Sequence, residues 1–157
     1  MDKGKKKIAT LVMDKYVSRT QYQFGDFLDH GLQLALVNCI DFTASNGIPT
    51  VRKSLHYTGT GKSLYEKALE DVTNILLDYD YDKLVPCFGF GAKVKHPRLD
   101  TKNKVHHCFP INFREEDPNL FKLEEILKAY KNCLNYLQFS GPTHFGALLS
   151  EAIVQCR

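Results

Sequence analysis

Apolar positions run almost unbroken from Leu34 to Ile40, with Asn38 the one polar interruption. Such a run is the pattern of a strand buried on both faces of a parallel sheet. A second run, Leu84 to Gly91, predicts its parallel neighbour. Pro86 cannot donate to a ladder but is tolerable near a strand's start, and Gly89 and Gly91 predict close backbone approach. Between the two runs, Ile48 to Thr60 carries turn residues and reads as a loop. Ser63 then opens a helix, because Ser63 and Glu66 form a Ser-x-x-Glu capping box. Leu64, Ala68, Val72, Ile75 and Leu76 recur at helical spacing, so this face is expected to lie on the sheet. Asp78 to Lys83 ends the helix.

The remainder alternates in the same way. Lys93 to Lys104 reads as a basic loop, and Val105 to Phe113 as a short strand. Leu123, Ile126, Leu127, Tyr130, Leu134 and Leu137 predict an amphipathic helix of about four turns. Ser140-Gly141-Pro142-Thr143 breaks it, and Phe145, Leu148, Leu149, Ala152 and Ile153 predict a last helix running to Arg157. At the amino end, Ile8 to Met13 has the content of a short strand, Tyr16 to Tyr22 is polar with aromatic punctuation, and Phe24 to His30 is a short link. Strands alternating with helices place the chain in the α/β class.

Composition narrows this picture. The 157 residues suffice for one domain with a real core. A net charge of +3 is too small to imply nucleic acid. The local excess at Lys3, Lys5, Lys6 and Lys7 reads as a solvated tail, or as a weak contact with anionic lipid at about 1 kcal/mol per basic residue. Five cysteines without paired spacing predict free thiols in a reducing compartment, with Cys39 and Cys87 buried inside their apolar runs. The first residues lack a signal peptide's apolar core, and no apolar run reaches the ~20 residues of a membrane span. The expectation is a cytosolic protein whose membrane contact is peripheral.

Candidate chemistry gathers just after the first run. Asp41-Phe42-Thr43-Ala44-Ser45 places a carboxylate and two hydroxyls at alternate positions of a loop leaving a strand's carboxyl end, where open α/β sheets bind ligands. These are hard oxygen donors suited to a small divalent ion, Mg²⁺ in particular. The bland alternative is a strand-to-helix turn whose Asp and Ser satisfy backbone groups. Three other strings fail on inspection. Gly59-Thr60-Gly61-Lys62-Ser63 would need its first P-loop glycine at His56. Asp78-Tyr79-Asp80-Tyr81-Asp82 has Lys83 and Gly89 where an EF-hand needs Gly and Glu. His106-His107-Cys108 has no second pair of zinc ligands. No nucleophile has an evident base and orienter, so the chain is expected not to be an enzyme.

Asp-x-Thr-x-Ser after a buried strand resembles the metal-ion-dependent adhesion site of von Willebrand factor A domains. Six strings sharpen the resemblance: Asp41 to Gly47, Ser54 to Tyr57, Asp78 to Leu84, Phe88 to Ala92, Phe109 to Phe113 and Gly141 to Phe145. In this order they resemble the A domain of a copine, from about Phe24 to the end.

The resemblance implies a doubly wound, mostly parallel sheet with helices on both faces, with residues 105–113 as an antiparallel edge strand. It implies residues 1–23 as the end of a preceding calcium- and lipid-binding module with its linker, and 24–157 as the first part of the A domain. The fold is then expected to be incomplete: the fourth strand would pair with Leu34–Ile40, and without it that strand is an edge that recruits partners, a second copy included. For the site, the resemblance implies that Asp41 binds the metal directly or through water, that Thr43 and Ser45 coordinate directly, and that Thr143 completes the set from a second loop. An N-cap is the plain alternative for Thr143. His144 stands where copines usually have Asn. The implied ion is Mg²⁺, Mn²⁺ or Ca²⁺, held weakly because Asp41 is the only acid. The implied function is that of a calcium-dependent phospholipid-binding cytosolic protein whose A domain recruits target proteins, through an acidic side chain, to anionic membranes bound by modules outside this chain. The rivals are an interaction module without a working metal site and, more remotely, a nucleotide hydrolase using Lys62 and Ser63.

Overall fold

The computed structural model describes residues 9–155. Two compact units follow one another, residues 1–32 and 33–157. In the first, residues 9–23 are irregular and lead into α1 (Phe24–Asp29), whose start is closed by the Gln23 N–H donating to the Asp26 carboxylate at 2.7 Å. The short strand expected at Ile8 to Met13 does not form over residues 9–13. A strand needs a partner, and none pairs with it among the described residues. Ile8 and the Lys3–Lys7 cluster lie outside them.

The second unit is mixed α/β, as expected. Its elements are β1 (Asn38–Asp41), α2 (Leu64–Leu76), β2 (Leu84–Phe90), β3 (Ala92–His96), β4 (Leu99–Asp100), β5 (Phe109–Pro110), β6 (Asn119–Phe121), α3 (Lys122–Leu134), β7 (Leu137–Phe139) and α4 (Gly146–Gln155). β1 runs parallel to β2, from Asn38 opposite Cys87 to Asp41 opposite Phe90. β5 and β6 pair antiparallel with β2. β3 pairs antiparallel with β4 and β7. These strands make two sheets: β1, β2, β5 and β6 form a mixed one whose parallel ladder is β1–β2, and β4–β3–β7 form an antiparallel one, with isolated parallel bridges at Leu34–Asp80 and Thr43–Ser140.

β2 is the strand buried on both faces. Val85 and Cys87 join the main core with Ile40, Phe42, Leu69, Phe109, Ile126 and Tyr130, beneath α2 and α3. Phe88 and Phe90 join a smaller cluster under Leu148 of α4. β1 differs from its expectation. It begins at Asn38, because the Leu36 N–H is taken by the Asp80 carboxylate at 3.2 Å instead of by a ladder. Asn38 and Ile40 are buried while Cys39 is exposed, so the strand is covered on one face, and the burial expected of Cys39 fails.

Helix α2 also turns a different face inward. Ser63 caps it as expected, accepting from the Glu66 N–H at 3.1 Å. Yet Leu64, Val72 and Ile75 are exposed, and Glu66, Leu69 and Thr73 are buried. Polar partners explain this rotation. Glu66 meets Lys131 of α3, and Thr73 accepts from the buried Asn38 amide at 3.4 Å. Helix α3 buries Ile126 and Tyr130 as the spacing predicts, but it stops at Leu134, and Leu137 enters β7. The basic stretch expected to be a loop forms the β3–β4 hairpin. Ala92, Val94 and Leu99 are buried there while lysines alternate with them, the period-2 signature of a strand. Of the strand expected over 105–113, only Phe109–Pro110 forms a ladder.

Candidate functional site

The loop after β1 is built by its own polar groups. Asp41 accepts from the Thr43 N–H at 2.7 Å through Oδ1, which closes a turn of the kind Asp forms with its own backbone. Residues Ala44–Asn46 then make one 3₁₀ turn. The hydroxyls of Thr43 and Ser45 come to 3.1 Å of one another. Thr43 is buried, Asp41 half-buried and Ser45 exposed.

A second segment lies against this loop. Thr43 bridges Ser140 in parallel, the Ala44 N–H donates to the Ser140 carbonyl at 2.7 Å, and the Ser140 N–H donates to Gly91 at 2.9 Å. The 140–145 stretch, with a cis Gly141–Pro142 bond, is thus drawn to the loop through Ser140. Thr143 itself is exposed, and no hydrogen bond ties its side chain to Asp41, Thr43 or Ser45 among the described residues. It is not an N-cap either, because α4 begins three residues later at Gly146. The segment is steadied by His144 packing on His107, ring centroids 4.7 Å apart, and by Phe145 on Phe90 at 5.4 Å.

The floor of the loop was not foreseen. The Asp41 carbonyl accepts from the Asn46 amide at 2.9 Å and faces His56 Nε2 at 2.9 Å. His56 is fully buried, and its Nδ1 lies 2.8 Å from the Tyr130 hydroxyl. Burial lowers its pKa to about 4 despite the opposing pull of Asp41, so the ring is neutral at ordinary pH. Ser54 ties the same segment down, donating to the Gly47 carbonyl at 2.7 Å and accepting from the His56 N–H at 3.0 Å.

Carboxylate and hydroxyl oxygens are the donor types a small hard cation takes. Octahedral ligands at about 2.1 Å stand about 3.0 Å apart along an edge, close to the 3.1 Å between the two hydroxyls. Among the described residues no three His, Cys, Asp or Glu side chains gather into a metal cluster. The set here is one carboxylate with hydroxyls.

The family model for copines matches residues 54–157. Protein BONZAI 2 of Arabidopsis thaliana is 37% identical over 144 residues, covering 90% of this chain. The chain belongs to the copine family. It spans 24% of the length of that relative.

Within this copine chain the rejected strings take structural roles. Lys62 pairs with Glu70 at the surface, and the Ser63 hydroxyl caps α2. Asp80 receives the N–H groups of Leu36 and Lys83, which anchors the entry to β1 and the exit from α2. His106 Nδ1 faces the Cys108 carbonyl at 3.0 Å. The groups that sequence reasoning missed are His56, Tyr130 and Ser140. The Ser-Leu-His-Tyr string pointed to the first of these without giving its role.

Proposed function

We propose that the Asp41–Ser45 loop is a divalent-cation site through which the chain, acting as a non-catalytic module, holds an acidic side chain of a protein partner. The observation that carries this reading is the meeting of the Thr43 and Ser45 hydroxyls at 3.1 Å beside Asp41, at the carboxyl end of a parallel strand. Thr43 and Ser45 offer two neutral oxygens, and Asp41 adds one negative charge. Thr143 stands on the neighbouring segment that Ser140 ties to the loop, and it is the further hydroxyl that segment would offer the ion. A bound Mg²⁺, Mn²⁺ or Ca²⁺ would supply the positive charge on which a partner's carboxylate closes. One carboxylate is little charge for a divalent ion, so affinity in this chain is weak. In the whole copine, this module would bring its partner to an anionic membrane bound by calcium-dependent modules elsewhere, which places it in the cytoplasm at the membrane's face. No helix among the described residues is long and apolar enough to cross a membrane.

The test is a titration of Mg²⁺, Mn²⁺ and Ca²⁺ into the chain, followed by calorimetry and thermal melting, beside Asp41→Ala. A cation that binds only the folded chain raises the melting temperature. A rise that disappears in Asp41→Ala supports the site. A chain whose melting and heats ignore all three ions has only a satisfied turn here, and the interaction-module reading takes over.

A further inference from the structure

His56 is an expensive residue for its place. Its ring is fully buried and boxed by aromatics: it stacks on Tyr65 at 4.0 Å and on Phe42 at 5.2 Å, and meets the edge of Phe139 at 4.9 Å. Two polar ring atoms in such a box cost free energy unless both are bonded. Both are, and the two partners dictate the proton's place. A carbonyl oxygen only accepts, so the nitrogen facing Asp41 carries the hydrogen. Nδ1 is then bare and takes the Tyr130 hydroxyl proton. Tyr130 O in turn lies 3.4 Å from Ser63 Oγ, so the chain of bonds ends on the cap of α2.

The Asp41 carbonyl belongs to the peptide that opens the turn. Its oxygen is pulled by His56 and by Asn46. The next residue, Phe42, is wholly buried, and its N–H is held by Phe90 at 2.9 Å. With that peptide fixed, the Asp41 carboxylate and the Thr43 N–H close their turn in one orientation.

We infer that His56 is the positioning residue of the loop: its Nε2–H, fixed by the Tyr130 hydroxyl, orients the Asp41–Phe42 peptide and thereby sets Asp41, Thr43 and Ser45 as a ligand group. This rests on the cation reading for its consequence, but the ordering of the loop can be measured without any ion.

Three variants separate positioning from packing. In His56→Gln the amide nitrogen takes the place of Nε2 and keeps the donor to Asp41. In His56→Asn the amide reaches only the Nδ1 position and that donor is lost. In Tyr130→Phe the Asp41 carbonyl still keeps the proton on Nε2, but the buried Nδ1 loses its donor and the ring is held through one nitrogen only. Two quantities are read on the 157-residue chain: the dissociation constant for Mn²⁺ by calorimetry, and amide exchange of Thr43 and Ala44 in metal-free buffer. His56→Asn and Tyr130→Phe are expected to weaken Mn²⁺ binding about tenfold and to speed loop exchange about tenfold, the worth of one buried hydrogen bond, with the Cys87 amide of β2 unchanged. His56→Gln is expected to stay within about threefold on both.

Equal losses in Gln and Asn that track the melting temperature would overturn the inference and leave a packing role. Unchanged exchange and Mn²⁺ affinity in His56→Asn would overturn it while the cation reading stands. The expected exchange pattern in a chain that ignores Mn²⁺ would uphold positioning by His56 and sink the cation reading alone. Should His56→Asn fail to fold, the contrast between His56→Gln and Tyr130→Phe decides.

Discussion

Gly91 faces Thr43 so closely that a Cβ added to it would run into the threonine methyl and stand 3.1 Å from the Thr43 nitrogen. Gly91 also has φ +77°, a backbone conformation that side chains resist. Its lack of a side chain is what lets the 140 segment and the Asp41 loop meet across the end of β2. Gly91→Ala is expected to cost about 3 kcal/mol, part backbone strain and part overpacking. Urea unfolding measures the loss. The variant should also lose any cation-dependent rise in melting temperature, because Thr43 is the residue displaced.

The neutral ring of His56 makes stability depend on pH with a fixed sign. Its folded pKa is lowered, by burial first, to about 4. The unfolded chain therefore binds that proton more readily. The contribution is complete above the unfolded value of ~6.5 and is lost as pH falls towards the folded one. Between pH 7 and pH 5 the loss from this group is expected to be about 2 kcal/mol. Urea midpoints at several pH values, compared with those of His56→Gln, isolate it. Parallel curves for the two proteins would refute the assignment.

Glu66 and Lys131 join α2 to α3, with the carboxylate buried and 2.7 Å from the half-exposed ammonium. Burial works to raise the Glu66 pKa, but Lys131 and the Ser63 N–H outweigh it and hold the net value low. The pair therefore stabilises above the ordinary carboxylate range, and this is lost as pH falls through the lowered value. Lys131→Met leaves a buried charge without its cation and is expected to cost about 1–2 kcal/mol, discounted for the solvent around Lys131. Glu66→Gln in the same background should recover part of that cost, which a double-mutant cycle reads directly.

Thiol chemistry reports which face of β1 is open. Cys39 is exposed, whereas Cys87 and Cys133 are buried. Burial pushes Cys87 up to about 12, and burial with Glu151 nearby pushes Cys108 up to about 11. Partial burial raises the Cys39 thiol as well, though its side chain is open to reagent, so a disulfide reagent at pH 8 is expected to modify Cys39 well before it reaches Cys87 and Cys133, which react only in denaturant. Peptide mapping after brief labelling checks the order. Protection of Cys39 in the native chain would mean that another surface covers this side of the strand.

Much of this was written locally. The capping box Ser63-x-x-Glu66 announced where α2 starts, because both bonds join residues three apart. The apolar run at Leu84–Gly91 announced the strand parallel to β1, while the burial on two faces expected of Leu34–Ile40 belongs to β2 instead. The loop Asp41-x-Thr43-x-Ser45 announced oxygen donors close together, since a single turn suffices to bring them within 3.1 Å. The β3–β4 hairpin was hidden by its lysines, which dilute a run that nevertheless alternates. The start of β1 was misplaced because Asp80, 44 residues beyond Leu36, takes an N–H that a ladder would have used.

The sequence by itself determined the α/β class, the family, the β1–β2 pair, the helices α2, α3 and α4 and the oxygen-bearing residues of the loop, because these depend on residue type and short spacing. The tertiary structure alone decided which side of α2 faces the core, since Glu66 and Thr73 find their partners on α3 and β1. It decided that β1 is covered on one face, because a strand's exposure is set by what packs on it. It also decided that His56 stands under Asp41. That contact joins residues 15 apart through a ring whose second nitrogen answers to Tyr130, 74 residues further on, and no local pattern encodes a bond that only folding brings together.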